Sequence, residues 1–293
     1  MARSRAFGAG GLGAALLLLA VACGEDPSTS ESAPAPTTAP TLAAGPVGLF
    51  DVGDRELYLD CRGEGSPTVI LEPGQGDDRS DYEAIQTVLA ETTTACSYDR
   101  ANVGQSGSAP TPRTSVEVVE DLHALLEAAD VAPPYVLAGT SAGGFFAMHF
   151  ARAYPDEVTG VLAMNPPPLA RDWVGRAYPR LSKAEVAEEK AFYRGDNPEN
   201  IDWSTSGEQM VTQAAPEIPL VLLHSTATQC EGEVGACTKT AELYLKLGEE
   251  YAAAWPCGTF EAVDLTHSIQ LADEEKVLGI IEELSARSGC VAS

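Results

Sequence analysis

Tyr135-Val136-Leu137-Ala138-Gly139-Thr140-Ser141-Ala142-Gly143-Gly144-Phe145 reads as a buried strand, a very tight turn and the start of a helix. Val136 to Ala138 is an apolar run, and Phe145 to Ala153 is helix-competent up to Tyr154-Pro155, where a helix should stop. Gly139, Ser141 and Gly143 fit G-x-S-x-G, the pattern that lifts a serine out at a strained corner. The need for glycine is steric: only residues without a Cβ let strand and helix pass so close on either side of the serine. Ser141 is therefore the candidate nucleophile.

Strands and helices alternate on both sides of this corner. Val47 to Val52 and Arg55 to Cys61 read as a hairpin turning at Gly53-Asp54, and Thr68 to Leu71 as a short strand ending at Pro73-Gly74. A helix over Asp81 to Ala90 and a strand over Thr93 to Tyr98 follow. Thr114 and Glu117 form a capping box for a helix with Val118, Leu122, Leu125, Leu126 and Ala129 on one stripe. Beyond the corner come a strand over Val158 to Met164, stopped by Pro166-Pro167-Pro168, and a non-alternating segment from Leu169 to Glu217 that reads as an inserted lid. Ile218 to His224, Thr238 to Tyr251, Thr259 to Leu265 and Asp273 to Arg287 resume the strand–helix order. Such alternation implies an α/β fold with a mostly parallel, twisted sheet of about eight strands and helices on both faces.

Not all 293 residues are expected in that domain. Met1 to Ala22 carries Arg3 and Arg5 before an apolar segment from Leu12 to Val21, too short to span a bilayer and ending in small residues, which reads as a secretory signal. Ala20-Val21-Ala22 suits ordinary cleavage, giving a secreted soluble protein. With Cys23 the same residues resemble a bacterial lipoprotein box, which would make Cys23 the lipidated first residue and the protein a cell-envelope lipoprotein; the latter reading is favoured. Residues 23–46 are rich in Pro, Ser, Thr and Ala, a disordered tether, and 47–293 hold the globular domain with its lid at about 169–217. If Cys23 carries lipid, six cysteines remain, and an even number in an exported chain suggests three disulfides. No C-x-x-C or H-x-x-x-H spacing supports zinc. The net charge of −25 argues against nucleic acid and anionic membrane as partners, leaving membrane contact to the lipid alone. A monomer is expected. No phosphate loop, dinucleotide fingerprint or metal cluster appears, so no cofactor is expected.

Several motifs in order resemble the α/β-hydrolase superfamily: Glu72-Pro73-Gly74-Gln75, then Tyr98-Asp99-Arg100 with Gly104-Gln105-Ser106, then Gly139 to Gly144, then Thr266-His267-Ser268. The resemblance covers about Val47 to Cys290 and is nearest to the branch of simple esterases, proline-iminopeptidase-like and cofactor-free haloperoxidase-like enzymes. It implies the α/β-hydrolase fold and a serine hydrolase of small ester or amide substrates, with an acyl-enzyme intermediate. His267 would be the base, and the backbone N–H groups of Ala142 and Gln75 the oxyanion donors. It also implies bridges Cys61–Cys96, Cys257–Cys290 and Cys230–Cys237. The usual acid positions hold Thr228 and Asn165, so Glu231, presented by the Cys230–Cys237 loop, is the candidate third member. The same vacancy motivates an alternative, a non-catalytic binding lipoprotein on this scaffold. Glu72 reads as a buried residue orienting its loop, or else as an attractor of a cationic substrate. Trp173, Tyr178, Phe192, Tyr193 and Trp203 are candidate walls of an acyl pocket, or the lid's own core.

Overall fold

The computed structural model describes residues 44–226, 236–287 and 289–290. Eight strands form one sheet: β1 (Ala44–Asp51), β2 (Glu56–Arg62), β3 (Thr68–Glu72), β4 (Ala95–Tyr98), β5 (Tyr135–Thr140), β6 (Val158–Met164), β7 (Pro219–Ser225) and β8 (Cys257–Val263). Their spatial order is β1-β2-β4-β3-β5-β6-β7-β8. β2 pairs antiparallel with β1 and β4, and every pairing from β4 through β8 is parallel. The carboxyl ends of β3 to β8 thus share one edge, where an open α/β sheet places its ligand crevice. β1 begins at Ala44, three residues inside the expected tether, because Ala44 pairs with Arg62 and extends the hairpin ladder.

The elbow strand is central and wholly buried. Its alternate side chains feed the two cores. Tyr135 and Leu137 face one, which is filled by α2 (Ser115–Ala128), α3 (Ala142–Ala153) and α7 (Ala236–Ala253). Val136 and Ala138 face the other, built by α1 (Glu83–Leu89), the short α8 (Ile269–Ala272) and α9 (Glu274–Ala286). That alternation is the period of two expected of an extended chain covered on both faces.

The lid segment contains α4 (Ala170–Ala177), α5 (Lys183–Tyr193) and α6 (Trp203–Met210). The capping boxes at Thr114 and Ser182 are both present. The lid aromatics serve mainly as core: Trp203 stacks on Phe146 of α3 at 5.5 Å between ring centres, and Trp173 and Tyr193 are buried.

Cys61 and Cys96 stand directly opposite across the β2–β4 ladder and are bridged, with Cα atoms 4.0 Å apart. Cys257, which opens β8, is bridged to Cys290 beyond α9, with Cα atoms 5.6 Å apart. The expected Cys230–Cys237 bridge and Glu231 lie outside the described residues, as do Cys23 and the leader.

Candidate active site

Ser141 sits between β5 and α3 with φ 53° and ψ −118°, a conformation costly for a residue with a Cβ. The surroundings hold it there. A Cβ at Gly139 would lie 2.3 Å from the Gly143 carbonyl carbon, and one at Gly143 would lie 2.1 Å from the Glu72 carbonyl oxygen. Both glycines are therefore required by close backbone approach. The Ser141 N–H donates to the Met164 carbonyl at 2.7 Å, which locks the corner to the end of β6.

His267 follows β8 at the same edge of the sheet, and its loop is tied to the elbow on two sides. Asn165, just after β6, donates from Nδ2 to the His267 carbonyl at 2.7 Å, while its Oδ1 accepts the Ser225 N–H at 2.8 Å. Gln270, three residues past His267, accepts from the Thr140 hydroxyl at 2.8 Å, and Thr140 is the neighbour of Ser141. Tyr82 completes this link through a 2.9 Å bond to Thr140. Asn165, one of the two positions where the family resemblance would expect an acid, is therefore a strut for the histidine loop. Among the described residues no hydrogen bond joins the Ser141 hydroxyl to the His267 ring. Such bonds are often long before substrate arrives.

The residue as a whole is exposed, yet partial desolvation of the ring lowers the His267 pKa from its ordinary value, and the field of Asp77 opposes this. Asp77 was not foreseen from sequence. It lies two residues past Gln75, after Gly76 turns the chain with φ 83°. A Cβ at Gly74 would lie 2.5 Å from Asp77 Oδ2 and 3.9 Å from the Ser141 Cβ, so this carboxylate hangs over the loop facing the serine. The one sequence signal was the G-x-G spacing of Gly74 and Gly76 before an acid.

The loop after β3 is clamped from below. Arg100 donates to the Pro73 carbonyl at 2.8 Å and the Gly74 carbonyl at 2.5 Å, and forks onto Glu199 of the lid at 2.9 and 2.6 Å. Glu199 in turn accepts the Gly76 N–H at 2.7 Å, and the Gln75 side chain donates to Asn197 at 2.5 Å. Glu72 is buried beneath, accepting from Tyr98 at 3.0 Å with Arg100 3.6 Å away. Burial pushes its carboxyl up to about 7, against the pull of Arg100 and Tyr98. Glu72 thus orients the loop and is closed off from any cationic substrate group. Ala142 opens α3, so its N–H has no acceptor within the helix.

The other histidines are engaged elsewhere or buried. His149 is buried, bonded to the Ser115 hydroxyl at 2.8 Å, and burial lowers its pKa to about 4. His123 stacks on Tyr154 at 3.9 Å. His224 is buried at the end of β7, and burial, with the field of His267, lowers it to about 3. Among the described residues no group of His, Cys, Asp or Glu could hold a metal ion.

This topology and corner define an α/β-hydrolase-fold protein. A family description for the alpha/beta hydrolase fold matches residues 67–187, a stretch that includes both the β3 loop and the elbow. Over 113 residues the chain is 33% identical to a protein of Azorhizobium caulinodans named "Putative carbamate hydrolase RutD", covering 39% of this chain and 42% of that one. The chain spans 42% of the length of each of the first two curated relatives that it matches. Among solved structures it is similar to the enol-lactonase from Burkholderia xenovorans, with TM-score 0.57 and 18% identity over 82% of this chain and 100% of that one. A thermophilic esterase from Thermogutta terrifontis matches with TM-score 0.55 and 19% identity over 83% and 97%.

Proposed function

We propose that the chain is a serine hydrolase of small ester or acyl substrates. The observation that carries this reading is Ser141 held at positive φ, with the His267 loop tied to its neighbours through Asn165 and Gln270. In the reaction, the Ser141 Oγ attacks the acyl carbon while its proton passes to the His267 ring. The tetrahedral oxyanion is met by the N–H groups of Ala142 and Gln75. The carbon–leaving-group bond then breaks, and the imidazolium protonates the departing oxygen or nitrogen. Water, deprotonated by the same ring, repeats the attack on the acyl-enzyme and frees the acid and Ser141.

Two carboxylates are candidates to steady the imidazolium. Glu231 is retained as one proposal, and Asp77, whose field already acts on His267, is a second. The likeness to proteins named for carbamate, enol-lactone and ester hydrolysis supports an acyl substrate. The two disulfides support an oxidising compartment, in keeping with an exported protein anchored through Cys23 or released by cleavage.

The test is labelling with a fluorophosphonate probe alongside a p-nitrophenyl ester series of graded chain length. Labelling at Ser141 is expected, with loss of about a thousandfold or more in kcat for Ser141→Ala. An unlabelled native chain that also hydrolyses none of the esters favours the alternative of a non-catalytic binding protein, the reading that the neutral Asn165 motivates.

A further inference from the structure

A cavity of about 420 Å³ runs beside α3, walled by α4, the end of α6, β7 and α7, and neither Ser141 nor His267 lines it. Its apolar wall includes Met148, Leu169, Leu222 and Leu247, all buried. His224, whose Nδ1 is buried without a partner, lines it as well. Arg152, three turns along α3 from the elbow, also lines it.

Arg152 is out of keeping with the rest of the molecule. The chain has 43 acidic residues against 18 basic ones. Among the described residues, every other arginine that is not exposed forms an ion pair with a carboxylate. Arg152 meets only neutral groups: it donates to the Gln213 carbonyl at 2.6 Å and to the Tyr251 hydroxyl at 3.2 Å, and lies 5.1 Å over the Trp255 ring. Its Nε is buried without a partner. The two carboxylates that line the cavity, Asp172 and Glu250, are already engaged by Arg171 and Arg176. A half-buried guanidinium left without an acid, when acids are in such excess, retains its affinity for an anion.

We propose that this cavity binds an amphiphilic carboxylate of medium chain length, with its head on Arg152 and its tail among Met148, Leu169, Leu222 and Leu247. The volume falls in the range of small-molecule sites, and the apolar wall beside a guanidinium that has no acid matches that ligand's two halves; Arg171, which also lines the cavity, is paired with Asp172. Neither Ser141 nor His267 lines the cavity, so binding should persist in Ser141→Ala.

The test is calorimetric titration with octanoate and with octan-1-ol, on native protein and on Arg152→Met. Native protein should bind octanoate about tenfold or more tighter than the alcohol, as a charge-assisted pair implies. Arg152→Met should remove that preference and keep the alcohol affinity. Leu169→Trp, which fills the cavity while sparing the arginine, should weaken both ligands, and serves if Arg152→Met fails to fold. No binding by native protein, equal binding of the two ligands, a preference retained without Arg152, or both affinities unchanged in Leu169→Trp would each overturn the proposal.

Discussion

At the residue scale the site turns on how two polar groups are set around one ring. Partial desolvation of its ring favours the neutral form of His267, although the residue as a whole is exposed, and Asp77 favours the charged form; desolvation prevails. A base acts when unprotonated, so a folded pKa below the ordinary 6.5 keeps the ring competent into mildly acidic solution. The acid limb of kcat/KM against pH for ester hydrolysis should therefore fall below 6.5. Asp77→Asn removes the charge that raises the ring's pKa, so the limb should move further down. A limb that moves up in that variant would show that Asp77 does not act on His267 as described. Asn165 shows why the acid was hard to read from sequence. A neutral residue at an acid's usual position looks like a vacancy, whereas its amide bridges Ser225 and the His267 carbonyl, with a donor and an acceptor that a carboxylate does not offer together.

At the scale of elements the β3 loop and the lid behave as one unit, because Arg100 grips both. Its guanidinium is fully engaged by Pro73, Gly74 and Glu199, and Glu72 lies close by. Glu199 remains below the ordinary carboxylate range: burial alone would raise it, and the Arg100 charge and hydrogen bonds outweigh that. Removing the cation leaves Glu72 and Glu199 buried beside each other without compensation. Arg100→Met should thus cost about 3–5 kcal/mol in urea unfolding and cut turnover as the oxyanion loop loosens. A fully stable Arg100→Met protein would mean that the clamp contributes little. From sequence, Arg100 was visible only as part of a motif and Glu199 not at all, since 99 positions separate them.

At the scale of the whole molecule, the disulfides tie together segments of chain that lie far apart in sequence. Cys61–Cys96 joins two strands 35 positions apart, and Cys257–Cys290 joins the last strand to the C-terminal segment, 33 positions apart. Closing a loop of that length restricts the unfolded chain, so replacing both Cys61 and Cys96 by Ala should lower stability by about 3 kcal/mol in a urea titration. An unchanged midpoint would show that the bridge constrains nothing that the β2–β4 ladder does not. The strand–helix order, the two bridges within the described residues and the capping boxes were legible because each is written in local periodicity or in a family pattern. The start of β1 was not, since Ala44-Gly45-Pro46 has tether-like composition and becomes a strand only by pairing with Arg62.

By itself the sequence determined the α/β architecture, the corner that raises Ser141 and the identity of His267 as its candidate partner. These follow from hydrophobic period, glycine placement and motif order, all of which act over short stretches of chain. Only the tertiary structure decided which charges meet. It brought Asp77 over Gly74, joined Arg100 to Glu199 across the lid, made Asn165 a strut, and left Arg152 without an acid. Each of those is a long-range encounter set by packing, and its energy depends on burial and on what else stands within a few ångströms, which composition and spacing do not encode.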